Sequence, residues 1–262
     1  MFTDKHNLEL KNLGITKIQN FLSEDQVKEL NLIIKKYSVG KGDKKSYFSN
    51  NLFSIFKKIF KLNFLRFVDE LKIFNYNKKL NLESIAKNYF KDDVSLVMID
   101  GYYNPISDKP ILKWHHDCWR DEKVHPDEYS LKIFIYLTEV GKNNGCMSYI
   151  HKSHLICDAI RRGIYEKKLK FGPYRMLEEF RKFITNKENY SVIKNLMENP
   201  SIVDEFLESI NNLNDNVEHE EDYSAKPGDA IIFNEKGLHR GSSPKKNERV
   251  VLRYHFRKKN LN

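Results

Sequence analysis

The sequence predicts a mainly β fold with helical decoration, in which an antiparallel sandwich is backed by N-terminal helices. Three observations lead there. Five β-rich runs (Val94 to Ile99, Leu131 to Val140, Met147 to Ile150, Ala230 to Phe233 and Arg249 to Phe256) are separated by Asn, Gly and Pro, the punctuation of turns. Helical segments do not alternate with these runs one for one, as a parallel sheet would require. Before Val94, and again between Leu155 and Tyr223, apolar residues recur at helical spacing.

From the N-terminus, residues 14 to 21 alternate like a short strand, and Ser23 with Gln26 three places on forms a capping box that opens a helix. Leu22 and Val27 supply the matching hydrophobic staple, and Val27, Leu30, Ile33 and Ile34 carry one apolar face to about Tyr37. Residues 38 to 48, with two glycines and three lysines, read as a polar loop. Leu52, Ile55, Phe56, Ile59 and Phe60, then Leu65, Val68 and Leu71, predict one or two core-packing helices from Asn51 to Phe74, followed by another from Asn81 to Phe90. The expected organisation is a single domain over 1–262: helical support over 1–93, a sandwich core from 94–154 and 224–262, and a charged helical insertion over 155–223 that can serve as a lid.

Composition removes several classes of function. With 262 residues the chain can bury a core without disulfides or structural metal, and 40% hydrophobic against 31% charged residues is globular rather than disordered. Cys118, Cys146 and Cys157 are odd in number and lack CxxC spacing, which speaks against a disulfide framework or a thiolate zinc site and for a reducing compartment. The polar start and the absence of a long apolar run lead us to expect a cytoplasmic protein with no membrane partner. The net charge of +9 comes from lysines scattered through nearly every segment, with no basic helix face interleaved with aromatics, so nucleic acid is not expected as a partner. The excess does favour an anionic small-molecule substrate.

The chemistry concentrates in Trp114-His115-His116-Asp117. On an extended strand His115 and Asp117 project to one side and can grip one ion through an imidazole nitrogen and a carboxylate oxygen. His239, in Gly237-Leu238-His239-Arg240-Gly241, is a candidate third ligand. Two histidines and a carboxylate on one face of an octahedron suit non-haem iron(II), although zinc accepts the same set. A surface histidine beside a solvated aspartate gives the same HxD pattern. Arg249 raises the stakes, because strand alternation puts Arg249, Val251, Arg253 and His255 on one face. A guanidinium near a ferrous centre is what a dicarboxylate cosubstrate needs, since its fork can take the remote carboxylate.

These segments resemble the phytanoyl-CoA dioxygenase-like branch of the iron(II)/2-oxoglutarate dioxygenases. The opening from Gly14 to Val27, Trp114-His115-His116-Asp117, the run from Asn143 to His154, Pro227 to Phe233, and His239 with Arg249 occur in the family's order. The resemblance implies a double-stranded β-helix of the jelly-roll, cupin-like type. It also implies Fe(II), 2-oxoglutarate and O2 as cofactor and cosubstrates, with His115, Asp117 and His239 on the metal, Arg249 on the far carboxylate, and hydroxylation of a small organic metabolite coupled to formation of succinate and CO2. Asp117 argues against the halogenating relatives, which carry a small residue there. Lys152 stands where the family's Gly-Ser-His turn usually has Gly, and the 155–223 insertion breaks any transfer of substrate from better-known members.

The remaining candidates divide by strand geometry and by resemblance. His116, between the two proximal ligands, should point away from the metal, and His154 should fix a loop by hydrogen bonding. His255 lies six residues beyond Arg249, about 20 Å along a strand, and Arg253 about 13 Å, so neither can hold the same carboxylate. Lys132 interrupts the apolar run Leu131 to Leu137, where an unpaired ammonium would be costly to bury. The resemblance makes Lys132 and Tyr102, with Asn104, further cosubstrate contacts; an outward-facing Lys132 fits the pattern equally well. Trp119, Arg120 and Arg253 are the substrate-side candidates, with a structural role for Arg253 and a core position for Trp119 equally open. Two other readings remain open: a non-catalytic cupin-like metal-binding protein and a zinc hydrolase.

Overall fold

The computed structural model describes residues 2–38, 45–61, 63–118, 123–142, 144–211, 213 and 222–259. The chain begins with α1 (Asp4–Asn12), β1 (Ile15–Ile18) and α2 (Glu24–Ser38), continues through β2 (Lys45–Phe48), and adds α3 (Leu52–Phe60), α4 (Phe64–Lys79) and α5 (Leu82–Phe90). The strands β3 (Val94–Asn104), β4 (Leu112–His115), β5 (Leu131–Tyr136) and β6 (Met147–Tyr149) follow. Four helices come next, α6 (Ser153–Tyr165), α7 (Leu177–Thr185), α8 (Lys187–Asn195) and α9 (Ser201–Ser209). The chain then returns through β7 (Asp222–Tyr223), β8 (Ala230–Asn234), β9 (His239–Gly241) and β10 (Arg249–Lys258).

The strands form a double-stranded β-helix of two antiparallel sheets. The larger runs β1-β8-β5-β10-β3-β2 and the smaller β4-β9-β6-β7. Two strands of the larger sheet come from the N-terminal third: β1 pairs with β8, and β2 pairs with β3. The polar loop expected over 38–48 is therefore corrected at its end. Phe48 and Ser46 are buried and Tyr47 is exposed, so alternation across a half-covered edge makes Lys45–Phe48 a strand despite its charge.

Side-chain alternation on β10 explains how the layers separate. Val250, Leu252, Tyr254 and Phe256 join Leu30, Ile34, Ile73 and Ile85 in the core between the larger sheet and the helices. Val251 faces the other way, into a second cluster inside the sandwich with Phe134, Tyr136, Met147, Tyr149 and Phe233. The Ser23 cap forms as expected, with Ser23 N donating to Gln26 Oε1 at 3.0 Å and Gln26 N to Ser23 Oγ at 3.4 Å. The insertion is largely structural: Ile156, Cys157, Ile160, Phe180, Phe183, Ile193, Val203 and Phe206 are buried in the main core. None of its described residues lines the cavity in which the metal-motif side chains meet, but the insertion touches the motif itself, with Met176 bridged to His115 and Arg175 O accepting from His116 N at 3.1 Å.

Candidate metal centre

The smaller sheet brings the two outer histidines together. His115 ends β4 and pairs in register with His239 on β9, with ring centroids 4.4 Å apart. Asp117 lies beyond the strand end, in a bend, where its backbone N–H donates to Glu235 O at 3.0 Å. The convergence expected of a continuous extended strand is thus achieved by a bend. His115 Nε2 lies 3.3 Å from Asp117 Oδ1, and His239 Nε2 lies 3.3 Å from Asp117 Oδ2. One donor atom from each of the three falls within 4.8 Å of the others, a grouping able to hold a metal ion.

Backbone carbonyls set the histidine tautomers. His115 Nδ1 lies 2.7 Å from Lys113 O and His239 Nδ1 lies 2.9 Å from Gly237 O. A carbonyl only accepts, so Nδ1 carries the proton and the Nε2 lone pairs face Asp117. The loop that offers the second carbonyl is held tightly: a Cβ on Gly237 would stand 1.9 Å from Tyr149 Oη, so only glycine fits. Leu238 N donates to Ser153 Oγ at 2.9 Å, which ties the same loop to the start of α6.

The electrostatics keep the set ready for a cation. Burial alone would raise the Asp117 carboxyl, but the Lys132 charge beside it holds it well below the usual carboxylate range. Burial, joined by the neighbouring His115, lowers His239, which favours the neutral ligand form. Lys132 is buried, and its ammonium bonds Asp117 Oδ2 and lies 3.2 Å from Glu235 Oε2. Burial would lower the Lys132 pKa, yet these two carboxylates outweigh it and raise it. Lys132 thus points inward with its charge already balanced, so it braces Asp117 in this structure instead of standing free as a contact for an anion.

These groups open into a cavity of about 410 Å³, also lined by Tyr102, Phe134, Arg249, Arg253 and His255. Arg249 is 5% exposed; its Nη1 donates to Asn104 Oδ1 at 3.1 Å and its guanidinium stands 5.4 Å from the Tyr136 ring centre. Its Nε is buried with no hydrogen-bond partner, and no carboxylate among the described residues pairs with it. Arg253 differs. It is chelated by Asp100, from Nε at 2.5 Å and Nη2 at 2.8 Å, and packs between Tyr102 and Phe134. Of the substrate and structural roles open to it, the ion pair fills its fork on the cavity wall. Tyr102 does line the cavity, as a platform for Arg253.

The other histidines behave as structural groups. His116 Nε2 donates to Tyr174 O at 2.8 Å while Nδ1 accepts from Cys118 N at 3.2 Å, and burial drives its pKa down to about 3. His154 lies 3.1 Å from Lys11 O and burial lowers it to about 4. His255, buried on the cavity wall, has an unpartnered Nε2. Trp119 and Arg120 lie outside the described residues. Asp100 and Glu235 were not singled out by sequence, although each is an acid embedded in or abutting an apolar strand, the pattern of a buried partner waiting for a cation.

A family match spans residues 10–249 and is to phytanoyl-CoA dioxygenase. The chain belongs to the phytanoyl-CoA dioxygenase family. Among solved structures it is similar to iron-bound HygX from Streptomyces hygroscopicus, at 13% identity and TM-score 0.57, covering 98% of this chain and 87% of that one. It is also similar to the epimerase SnoN in complex with Fe3+, alpha ketoglutarate and nogalamycin RO (11% identity, TM-score 0.57, 97% and 83% covered). A third is the non-heme alpha ketoglutarate dependent carbocyclase SnoK from nogalamycin biosynthesis (13%, TM-score 0.56, 98% and 84%). No curated protein matches. The turn at which Lys152 replaces the Gly of the family resemblance keeps a glycine-like backbone: Lys152 has φ 63° and ψ −8°. Among the described residues no helix is long and apolar enough to cross a membrane.

Proposed function

We propose that this member of the phytanoyl-CoA dioxygenase family is an iron(II)- and 2-oxoglutarate-dependent dioxygenase that hydroxylates a small organic metabolite. The observation that carries the reading is the pairing, in one cavity, of a His-Asp-His donor set with a buried guanidinium that has no carboxylate partner among the described residues. A buried unpaired charge is costly, and an anionic ligand with a terminal carboxylate removes the cost. The donor set fits iron(II): two neutral imidazole Nε2 atoms and one ionised carboxylate oxygen leave open positions on the ion.

His115, Asp117 and His239 would hold the metal, and Arg249 would bind the far carboxylate of 2-oxoglutarate through Nε and Nη atoms not spent on Asn104. Lys132, by bonding Asp117 Oδ2, fixes that carboxylate and leaves Oδ1 as its less engaged oxygen. When bound, iron(II) with 2-oxoglutarate supplies the activation of dioxygen, decarboxylating 2-oxoglutarate to succinate and CO2 as the substrate is oxidised. Phe134, Ile111, Leu112 and Met147 supply the apolar part of the cavity wall.

The test is metal binding and turnover together. Purified protein should bind one iron(II), then 2-oxoglutarate by calorimetry, and should release succinate slowly even without substrate. Replacing His115, Asp117 or His239 by Ala should abolish tight iron binding with the fold retained, whereas His116→Ala should keep it. Stoichiometric zinc with indifference to 2-oxoglutarate would sink the reading in favour of a hydrolase, and metal binding without succinate would favour a binding protein. Once a substrate is found, incorporation of one atom of labelled dioxygen into the product separates hydroxylation from the epimerisation and ring closure named for SnoN and SnoK.

A further inference from the structure

Half of the exposed large hydrophobic side chains fall within residues 52–65: Leu52, Phe53, Phe56, Ile59, Phe60, Phe64 and Leu65, against seven in the rest of the described chain. Phe60 is 87% exposed and Phe53 71%. The patch is continuous across α3 and α4, since Phe67 lies 5.8 Å from Phe56 and 5.9 Å from Phe64, ring centre to ring centre. Monomeric soluble proteins rarely leave such a surface bare without a use for it.

The charge around the patch says what fits it. Between Asp43 and Asp69 the sequence has six basic residues, Lys44, Lys45, Lys57, Lys58, Lys61 and Arg66, and no acidic one. Lys57 and Lys61 are exposed among the aromatics, and Lys57 lies over the Phe53 ring at 4.5 Å. Only Ile55 of α3 is buried, so the helix shows an apolar aromatic surface flanked by cations instead of a core-facing stripe. That is the composition of a helix lying in a lipid headgroup region. The patch also adjoins the cavity: Arg66 Nη2 donates to Tyr47 O at 2.7 Å, and Tyr47, 56% exposed, lines the cavity with Lys45.

We propose that the α3–α4 hairpin is a docking surface for anionic membrane lipid, holding the protein at the bilayer surface with its aromatics among the headgroups and its lysines on the lipid charges. This revises the expectation of no membrane partner, which considered only spanning segments. The protein docks without crossing.

Co-sedimentation of the full chain with vesicles tests it. The wild type should sediment with mixed phosphatidylcholine and phosphatidylglycerol vesicles, less with phosphatidylcholine alone, and less as salt rises. Phe53→Ser with Phe60→Ser should weaken partitioning roughly tenfold or more, with the circular dichroism spectrum unchanged because both side chains are solvent-exposed. Lys57→Gln with Lys61→Gln, which leaves every apolar group in place, should weaken it about fivefold per lysine at low salt. A wild type that stays in the supernatant with anionic vesicles overturns the proposal, as does a salt-insensitive dimer in sedimentation equilibrium that binds no vesicle and dissociates in the Phe variant, which would assign the face to a second copy of the chain. Succinate formation is not a readout here, so failure of the proposed chemistry would leave this result standing.

Discussion

Arg249 and Arg253 lie four residues apart on one face of β10, in the wall of one cavity, and their surroundings are opposite. At the Arg253 end the register pairs Arg253 with Asp100 on β3, and Lys45 reaches the same carboxylate at 3.1 Å. At the Arg249 end the register partner is Asn104, a neutral amide. One arginine is a closed ion pair and the other an open charge. Residue type and strand face make both candidates, and the cross-strand neighbour decides which one awaits a ligand.

The largest test of that contrast is Arg249→Leu. Without the guanidinium fork, the cosubstrate carboxylate would sit unpaired in a desolvated pocket, so 2-oxoglutarate affinity should fall by roughly two orders of magnitude or more, with iron binding nearly unchanged. Calorimetry on the metal-loaded variant measures it. The same substitution removes an uncompensated buried charge, so the thermal midpoint of the ligand-free protein should hold or rise. An unaltered affinity would remove the distinction between the two ends.

Arg253→Leu should reverse the pattern. Asp100 would be left buried with Lys45 as its remaining ion-pair partner among the described residues, a loss on the order of 3 kcal/mol. For a chain of this size that lowers the thermal midpoint by about 5–10 °C, while 2-oxoglutarate affinity should change far less than in Arg249→Leu. Restoration of the midpoint in Arg253→Leu with Asp100→Leu would show that the pair, and not the arginine, is what the fold requires.

The Arg253 end also holds a neutral histidine, which gives the contrast a pH dependence. Burial first, then the charges of Lys132, Arg253 and Lys45, push His255 well below its ordinary value. His116 and His154 are likewise lowered, to about 3 and about 4. Because the folded pKa lies below the unfolded one, the unfolded chain takes up more protons as pH falls below about 6.5, and stability present at neutral pH is lost on acidification. Each such group contributes up to about 1.4 kcal/mol per pH unit within that window. Unfolding midpoints measured from pH 7 to 4.5 should therefore decline, and His255→Phe should make the decline shallower; an unchanged slope would mean that His255 titrates normally.

How far the sequence made this visible depends on the range of the interaction. The cap at Ser23, the two faces of β10 and the His-Asp-His set are local patterns joined by order along the chain, and they are where the structure has them. The Asp100–Arg253 pair joins residues 153 apart in sequence, and Glu235 reaches Lys132 from the start of the β9 loop. An acid in an apolar run signals a buried partner but not which cation it meets, so the sequence leaves Lys132 and Arg253 open between ligand contact and internal pairing. The apolar positions of α3 illustrate the converse. Helical periodicity correctly gave a helix but assigned its hydrophobic residues to a core, because spacing identifies a face and does not say what covers it.

The smallest effect concerns compensation in the backbone. Lys152 holds the left-handed conformation at φ 63°, where a side chain costs roughly 1 kcal/mol relative to glycine. Its surroundings enforce the turn: Lys152 N donates to Leu13 O at 3.1 Å, Ser153 Oγ to Ile150 O at 2.5 Å, and the Lys152 ammonium sits 3.0 Å from the exposed Glu205. That surface pair is worth a few tenths of a kcal/mol, and glycine also gains freedom in the unfolded chain. Lys152→Gly should therefore stabilise the fold by no more than about 0.5 kcal/mol, and Lys152→Asn, which tolerates the left-handed region while keeping a side chain, by a similar amount. Denaturant midpoints compared with a Lys152→Ala control, which keeps the backbone strain and removes the ion pair, separate the two effects. Destabilisation of Lys152→Gly beyond that of Lys152→Ala would mean that the lysine is retained for its pairing with α9 and that the turn carries no strain worth relieving.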